Sequence, residues 1–395
     1  MFLTSGNLRL RSEFHRRALT VLARYDTMLR EVTRMILYKN GHALIDDKLV
    51  QTDIVANRGR IIEIAPDIVA DEETEVIDCS GRYVLPALVD IHTHGAVGYD
   101  FNTADLDGMK KIVEFYVSRG VGTVFPTVMT DTDEAICRQV ALIAQLAKEY
   151  PEVKGIYLEG PFLSKEYRGA HPIDLLQKPS MDKFMTYQKA AEGKIKIVTV
   201  APELPDALAF ISEVVDQKVV VSIGHSGADS ETVLQALKLG AKSFTHWGNA
   251  MSQLDRHGLG VAGSALASSA FCEVICDGEH VDKDVLKLLV KVKGVDKVIG
   301  VTDSIMATGL TDGEYTLARQ NITVKGREAY LFGTETRAGS TLDAYQGLAN
   351  VVTFTGLPLR EAIKLWTVNP ARLVGLSDRI GTIEVGKDAD FIIFG

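Results

Sequence analysis

From Leu85 onward the chain alternates short apolar runs with longer stretches whose apolar positions recur at helical spacing. Eight runs of strand length can be counted: LVDIHTHG, VGTVFPTV, VKGIYLEG, KIKIVTVAPE, KVVVSIGH, AKSFTHWG, CEVICDG and KVIGVTDS. Between them lie DLDGMKKIVEFYVSRG, TDEAICRQVALIAQLAKEY, ALAFISEVVDQ, SETVLQALKLG and DKDVLKLLVKV, each with an apolar stripe at the period of a helix. Strands that alternate with helices predict parallel pairing, and eight such units predict a closed (β/α)8 TIM barrel, an α/β fold.

The pattern differs at both ends. From Met35 to about Tyr83 the runs ILYKNGHALI, TDIVANRGRIIEIAP and TEVIDCSGRYVL read as short strands, with a hairpin expected at Asn40-Gly41 and a second turn at Asn57–Arg60. After Asp303 comes a polar, hairpin-like stretch, GEYTLARQNITVKGREAYLFG, then two helical segments and a closing GTIEVGKDADFIIFG of strand character. The division expected is a barrel over residues 85–375 and a small β-sandwich made from residues 35–84 and 376–395, short of a final strand or two where the chain stops. Residues 1–34 carry seven arginines, no lysine and three acids, and read as a basic helix without the continuous apolar core of a secretory signal. A transit peptide is one reading; the one adopted is an upstream extension outside the core fold, with Met35 opening the domain proper.

Composition narrows the class. The 395 residues are 46% hydrophobic and 24% charged, which is ordinary for a globular enzyme. A net charge of −9 argues against a general nucleic-acid binder, though a local cationic pocket for a small anion remains compatible with it. There is no run of 18 apolar residues, so no membrane span is expected. Cys79, Cys137, Cys272 and Cys276 are scattered; Cys272 and Cys276 face the same way if the segment is a strand, and buried reduced thiols in a cytoplasmic protein are the expectation.

The chemistry gathers at the ends of the apolar runs. Imidazoles and carboxylates follow strands in His92-Thr93-His94, Leu158-Glu159-Gly160, Gly224-His225-Ser226, Thr245-His246, Asp277-Gly278-Glu279-His280 and Thr302-Asp303-Ser304. In a barrel these ends share one face, where such side chains can hold a divalent metal and an acid that moves protons. His92 and His94, two apart, point to the same side. Glu159 precedes a proline that cannot extend a ladder, and a buried carboxylate there wants a cation. Asp303 is either a proton carrier or a helix N-cap. Seven of the nine histidines lie between residues 92 and 280, and that clustering carries more weight than any one of them.

The strings HTHG, LEGPF, RGAHP, GHS, TH…NAM, DG-x-H, TDS and AGSTL, in that order from Met35 to the end, resemble the N-acetylglucosamine-6-phosphate deacetylases of the amidohydrolase superfamily. The resemblance implies that Glu159, His225 and His246 hold the principal metal, and that His92 and His94 with Glu159 can form a second site. It implies Asp303 as the catalytic acid and base, and His171 as the group that polarises the acetyl carbonyl. Asn249 and Ala250 would contact the sugar phosphate, Ala170 the substrate and His280 the sugar, with the Ala338-Gly339 stretch a loop lining the pocket. It further implies one or two divalent ions per subunit (zinc first, iron, manganese or cobalt otherwise), a small amino-sugar phosphate as substrate, and a homodimer in the cytoplasm.

Two departures matter. The usual Thr-His-Leu-(Phe/Tyr)-Asn-x-Met reads Thr245-His246-Trp247-Gly248-Asn249-Ala250-Met251. Where relatives carry an Arg-Glu-Pro-Gly string whose Arg grips the phosphate, often of the neighbouring subunit, this chain has Asp255-Arg256-His257-Gly258, with His257 at the Arg position and Arg256 one residue early, and Arg337 stands where Leu is usual. The expectation is that Arg256 takes the phosphate by a one-residue shift, with His257 beside it and Arg337 in reserve. The activity expected is deacetylation of N-acetylglucosamine 6-phosphate. The galacto epimer, an unphosphorylated N-acetyl-hexosamine and a non-catalytic binding barrel are the competing readings.

Overall fold

The computed structural model describes residues 35–395; the basic N-terminal stretch lies outside the described residues. Eight parallel strands form the central sheet: Leu88–Thr93, Val121–Met129, Ile156–Glu159, Ile195–Val200, Val220–Ile223, Ser243–Phe244, Phe271–Ile275 and Val298–Val301. All eight runs picked out by pattern are strands, paired in sequence order. The first and eighth strands meet through a single parallel bridge, Thr93 to Ser304. Around it the Asp303 amide donates to the His92 carbonyl at 2.9 Å and the His94 amide to the Ser304 carbonyl at 2.8 Å. The Thr302 hydroxyl donates to the buried Asp90 carboxylate at 2.6 Å. The barrel therefore closes at the level of its histidine and aspartate strings.

Helices follow the strands because their apolar stripes need the outer face of the sheet. Leu106–Ser118 buries Met109, Ile112, Val113 and Tyr116; Asp133–Glu149 buries Ile136, Val140, Ile143 and Leu146. Asp105 and Thr132 cap their first turns by accepting from Gly108 and Ala135 amides. Most of this packing belongs to one continuous apolar cluster that extends to Trp366 and Phe394.

Both ends of the described residues contribute to a six-stranded sheet beside the barrel, with Phe391–Phe394 antiparallel to Tyr83–Pro86. Its strands close around a core that includes Tyr38, Ile54, Val84, Ile383 and Phe391. The hairpin expected at Asn40-Gly41 is corrected. Asn40, at φ 63°, sits at a register shift inside the strand Met35–Ile45, whose two halves pair with different strands along one edge. The tight turn comes later, at Asp46 and Asp47 (φ 48° and 60°), residues that tolerate the left-handed region. Asn-Gly supplies left-handed backbone equally well for a bulge, and the apolar residues on either side kept the strand going. The turn expected at Asn57–Arg60 is present, with Arg58 and Gly59 both at positive φ.

The polar stretch after Asp303 is a three-stranded meander, Gly313–Leu317, Gln320–Lys325 and Glu328–Leu331, one strand more than a hairpin. It packs through Leu317, Ile322, Val324 and Ala329 onto Met129, Ala170, Ile305 and Ala338, so it is fastened to the loops at the C-terminal end of the barrel. No helix of the described residues is long and apolar enough to cross a membrane. The four cysteines are free, and burial pushes the Cys272 thiol up to about 12.

Candidate metal centre and cleft

The six strings converge over the barrel mouth. His225, His246 and Asp303 leave their strands at positive φ (48°, 28° and 49°), so the backbone turns sharply where each side chain is presented. Non-glycine residues pay roughly 1–3 kcal/mol for such backbone, which persists where the surroundings enforce it, characteristically at sites of function. Gly160, at φ 90°, follows Glu159; a Cβ there would lie 2.2 Å from the Thr130 hydroxyl, so only glycine lets the chain turn away.

Glu159 is the hub, and it is 3% exposed. Its Oε1 lies 3.1 Å from His225 Nε2, 3.0 Å from His246 Nε2 and 3.5 Å from His92 Nε2. Its Oε2 lies 3.2 Å from His94 Nε2 and 3.4 Å from His171 Nε2. Across the space, Asp303 Oδ1 is 3.1 Å from His94 Nε2 and 3.6 Å from His92 Nε2. Asp303 caps no helix, because turn rather than helix follows it. The capping alternative is removed.

These atoms fit a divalent cation. His225 Nδ1 faces the Tyr167 carbonyl at 2.8 Å, which can only accept, so Nδ1 carries the proton and Nε2 is bare. That bare nitrogen lies 3.0 Å from His246 Nε2 and 3.1 Å from a carboxylate oxygen. Imidazole nitrogens and a carboxylate oxygen turned on one another at this spacing suit a shared cation. The separations are close to the roughly 3.3 Å edge of a tetrahedron with bonds of about 2.0 Å. A second group, His92, His94 and Asp303, has its ligand atoms within 4.8 Å of one another. Geometric grouping also joins His171, with Glu159 and His225. We favour His246 there, because its Nε2 is nearer to Glu159 and His171 engages Thr130 through Nδ1 at 2.8 Å.

The protonation pattern follows from burial and crowding. Burial disfavours charge on the imidazoles, but Glu159 and Asp303 at close range override it and raise His92, His94 (to about 9) and His246. His171 is held down at about 4, chiefly by burial, so it is neutral near pH 7. Burial pushes Asp303 up, yet the His94 hydrogen bond and the charges of His92 and His94 outweigh it and hold the carboxyl at about 2.

Above this floor is a cleft of about 380 Å³, within the usual range for small molecules. Ala170, His171, Asn249, Ala250, His280, Arg337 and Gly339 line it as expected from the sequence. Ala338 is fully buried beside it. Gly339 packs so closely that a Cβ would lie 2.9 Å from the Asp303 carbonyl oxygen, which explains the glycine. His280 is oriented by Asp277, whose Oδ2 accepts from Nδ1 at 2.6 Å. Arg256 and His257 are the exception. They are exposed, with Arg256 Nε donating to His257 Nε2 at 2.8 Å, and neither lines this cleft.

Some residues escaped the sequence reading. Glu273, fully buried, places Oε2 3.3 Å from His92 Nδ1, and its Oε1 accepts from Tyr157, Ser222 and Ser243. A charged residue inside the apolar run CEVIC was the signal for it. Thr130 and Arg168 had no such signal; Arg168 sat in RGAHP without an assigned role.

The comparisons agree with this geometry. Residues 83–395 match the model of the Amidohydrolase family. The chain is 33% identical over 376 residues to N-acetylglucosamine-6-phosphate deacetylase of Bacillus subtilis, covering 92% of this chain and 90% of that one. It is 32% identical to the enzyme of that name from Homo sapiens, with 91% of each covered. A crystal structure of N-acetylglucosamine-6-phosphate deacetylase from Pasteurella multocida superposes with a TM-score of 0.86 at 28% identity, over 91% of this chain and 95% of that one. The D267A mutant of the Mycobacterium smegmatis enzyme, in complex with N-acetyl-D-glucosamine-6-phosphate, gives 0.83 at 30% identity, over 91% and 94%. Family match, near-complete coverage by enzymes of one name, and a carboxylate hub ringed by imidazoles all lead to one assignment: the chain belongs to the amidohydrolase family, among the N-acetylglucosamine-6-phosphate deacetylases.

Proposed function

We propose that this protein hydrolyses the acetamide bond of N-acetylglucosamine 6-phosphate, releasing acetate and glucosamine 6-phosphate. The observation that carries the reading is Glu159, whose carboxylate meets five imidazoles while Asp303 faces it. Glu159, His225 and His246 would hold a divalent ion, and His92 and His94 with Glu159 a second or a share of the first. Bound there, such an ion lowers the pKa of water towards neutrality and polarises the acetyl carbonyl.

The chain's own groups account for the proton movements. Asp303, ionised at neutral pH, accepts a proton from the attacking water at its carboxylate. His171 is neutral; with Nδ1 accepting from the Thr130 hydroxyl, Nε2–H can donate to the carbonyl oxygen as negative charge develops there. As the tetrahedral centre collapses, Asp303 returns the proton to the amide nitrogen, the C–N bond breaks, and amine and acetate separate. Asn249, Ala250, His280 and Gly339 line the space available to the sugar. Glu273 is a positioning residue: its acceptor on Nδ1 keeps the lone pair of His92 on Nε2, facing the centre.

The reading includes zinc as the ion, a homodimer and a cytoplasmic setting, which four free cysteines suit. Acetate release from N-acetylglucosamine 6-phosphate, its galacto epimer and the unphosphorylated sugars, with metal content measured alongside, tests it. No release from any of them by the metal-loaded protein overturns it.

A further inference from the structure

We propose that Thr130 is a positioning residue that decides the task of His171. Its hydroxyl donates to Nδ1, which commits the ring's one proton to Nε2. His171 is thereby a hydrogen-bond donor at the floor of the cleft and not a further imidazole ligand of the ion. The inference rests on the deacetylase reading above and goes beyond it by naming what sets this imidazole apart from its neighbours.

Position alone does not set it apart. His171 Nε2 lies 3.4 Å from Glu159 Oε2, and its ring centroid is 4.6 Å from that of His225. By distance it belongs to a ligand group with those two residues. The difference is what stands behind each ring. The Tyr167 carbonyl lies 2.8 Å from His225 Nδ1, and the Glu273 carboxylate 3.3 Å from His92 Nδ1. Carbonyl and carboxylate oxygens only accept, so both rings carry their proton on Nδ1 and turn a bare Nε2 to the centre. Behind His171 stands a hydroxyl instead, Thr130 Oγ1, at 2.8 Å from Nδ1. A hydroxyl can donate.

Burial decides which way that bond runs. Thr130 is fully buried, and among the described residues its hydroxyl has no hydrogen-bond partner besides His171. With the proton on Nδ1, the hydroxyl hydrogen has no acceptor and a bare Nε2 faces a carboxylate oxygen. With the proton on Nε2, hydroxyl, ring and carboxylate are all matched. An unmatched buried donor biases the choice by roughly tenfold or more. The hydroxyl is also fixed in place. The Gly160 backbone lies directly over it, where a Cβ would come within 2.2 Å of Oγ1. The residues after Thr130 are tied down, since Asp131 accepts from Arg319 Nε at 2.7 Å and Thr132 caps the next helix. From the main chain the His171 amide donates to the Arg168 carbonyl at 3.0 Å. The Nε2–H is therefore aimed before substrate arrives, the condition for a donor that meets its charge only in the transition state.

The test pairs kinetics with a direct view of the ring. Acetate release from N-acetylglucosamine 6-phosphate is measured for zinc-loaded wild type, Thr130→Val and Thr130→Ser, with metal content by elemental analysis. Thr130→Val keeps the shape and removes the hydroxyl, so kcat should fall by roughly tenfold or more while KM stays within about twofold and metal content is unchanged. Thr130→Ser should recover most of the loss. A kcat within about twofold of wild type in Thr130→Val, equal losses in both variants, or loss of metal along with turnover would overturn the proposal. Nitrogen NMR of the histidine-labelled zinc protein gives a readout independent of turnover, with the His171 signals assigned by their absence in His171→Gln. Wild type should show the proton on Nε2 and a hydrogen-bonded acceptor at Nδ1; in Thr130→Val that acceptor signature should disappear. A wild-type ring protonated on Nδ1 sinks the inference, and this measurement needs no variant at position 130 to fold. If the wild type releases no acetate from this sugar, its epimer or the unphosphorylated sugars, the deacetylase reading falls and the NMR result alone decides the role of Thr130.

Discussion

The floor of the cleft and its rim are built by opposite rules. On the floor, Glu159, His92, His94, His225, His246 and Asp303 are at most 8% exposed, and each stands at the end of a strand whose position the barrel sets. Three of them are held from behind: His92 by Glu273, His225 by the Tyr167 carbonyl, and the Asp303 backbone by the Ser340 amide. On the rim, Arg168 and Arg337 come from loops, are partly open to water and have one restraining group each side of the fork at most. A reaction centre must be held to a fraction of an ångström, which packed strand ends can do; recognition of a solvated anion tolerates looser parts that can adjust. The floor is where a small change should be ruinous, and the rim where it should be graded.

The largest effect should therefore come from the hub. Glu159→Gln keeps the shape but replaces a charged ligand with a neutral amide, so metal content by elemental analysis and acetate release should vanish together. Full metal occupancy in this variant would break the picture of the floor. Asp303→Asn sharpens it: metal and fold should persist while turnover falls by roughly 10² or more, since proton transfer alone is lost. Turnover within a few-fold of wild type would take Asp303 out of the mechanism.

A third change reaches the floor from beneath. Glu273→Gln removes the anionic acceptor on His92 Nδ1 without emptying the space. Removing such partners costs about 10–100-fold in metal affinity, to be read by competition with a chelator. Unaltered affinity for every ion bound would reduce Glu273 to a packing residue.

The smallest effect belongs to the wall of the cleft. Burial pushes Asp277 up, but its bonds to His280 outweigh this and hold it below the usual carboxylate range. A depressed carboxyl stabilises the fold above its unfolded pKa, near 3.8, and the contribution is lost as pH falls through its folded value. Asp277→Asn should lower stability at pH 7 by about 1–3 kcal/mol, and the deficit should shrink on acidification below that range. A deficit of the same size at all pH values, in denaturant titrations, would show that charge is not the cause.

Much of the floor could be read in advance because its signals are local. The string GIYLEG is both the strand and its ligand, and the same holds for VVVSIGH and KVIGVTD. Asn40-Gly41 misled for the converse reason: left-handed backbone serves a bulge as well as a turn, and the choice depended on strands paired from residues 75–86. Glu273 was hidden among apolar neighbours until the barrel closed around it, 181 residues from His92. Arg256 looked like the phosphate ligand by nearness in sequence to a familiar string, yet the loop carries it out of the cleft of its own chain.

By itself, then, the sequence determined the barrel, the order of its strands and which side chains end them, because strand and helix periodicities are set by nearest neighbours along the chain. Tertiary structure decided the rest: which acid stands behind which imidazole, where the barrel seals between Thr93 and Ser304, and which arginines face the cleft. Those are contacts between residues tens to hundreds of positions apart. They come into being only when the closed sheet and the meander fastened to it exclude water and bring distant loops together.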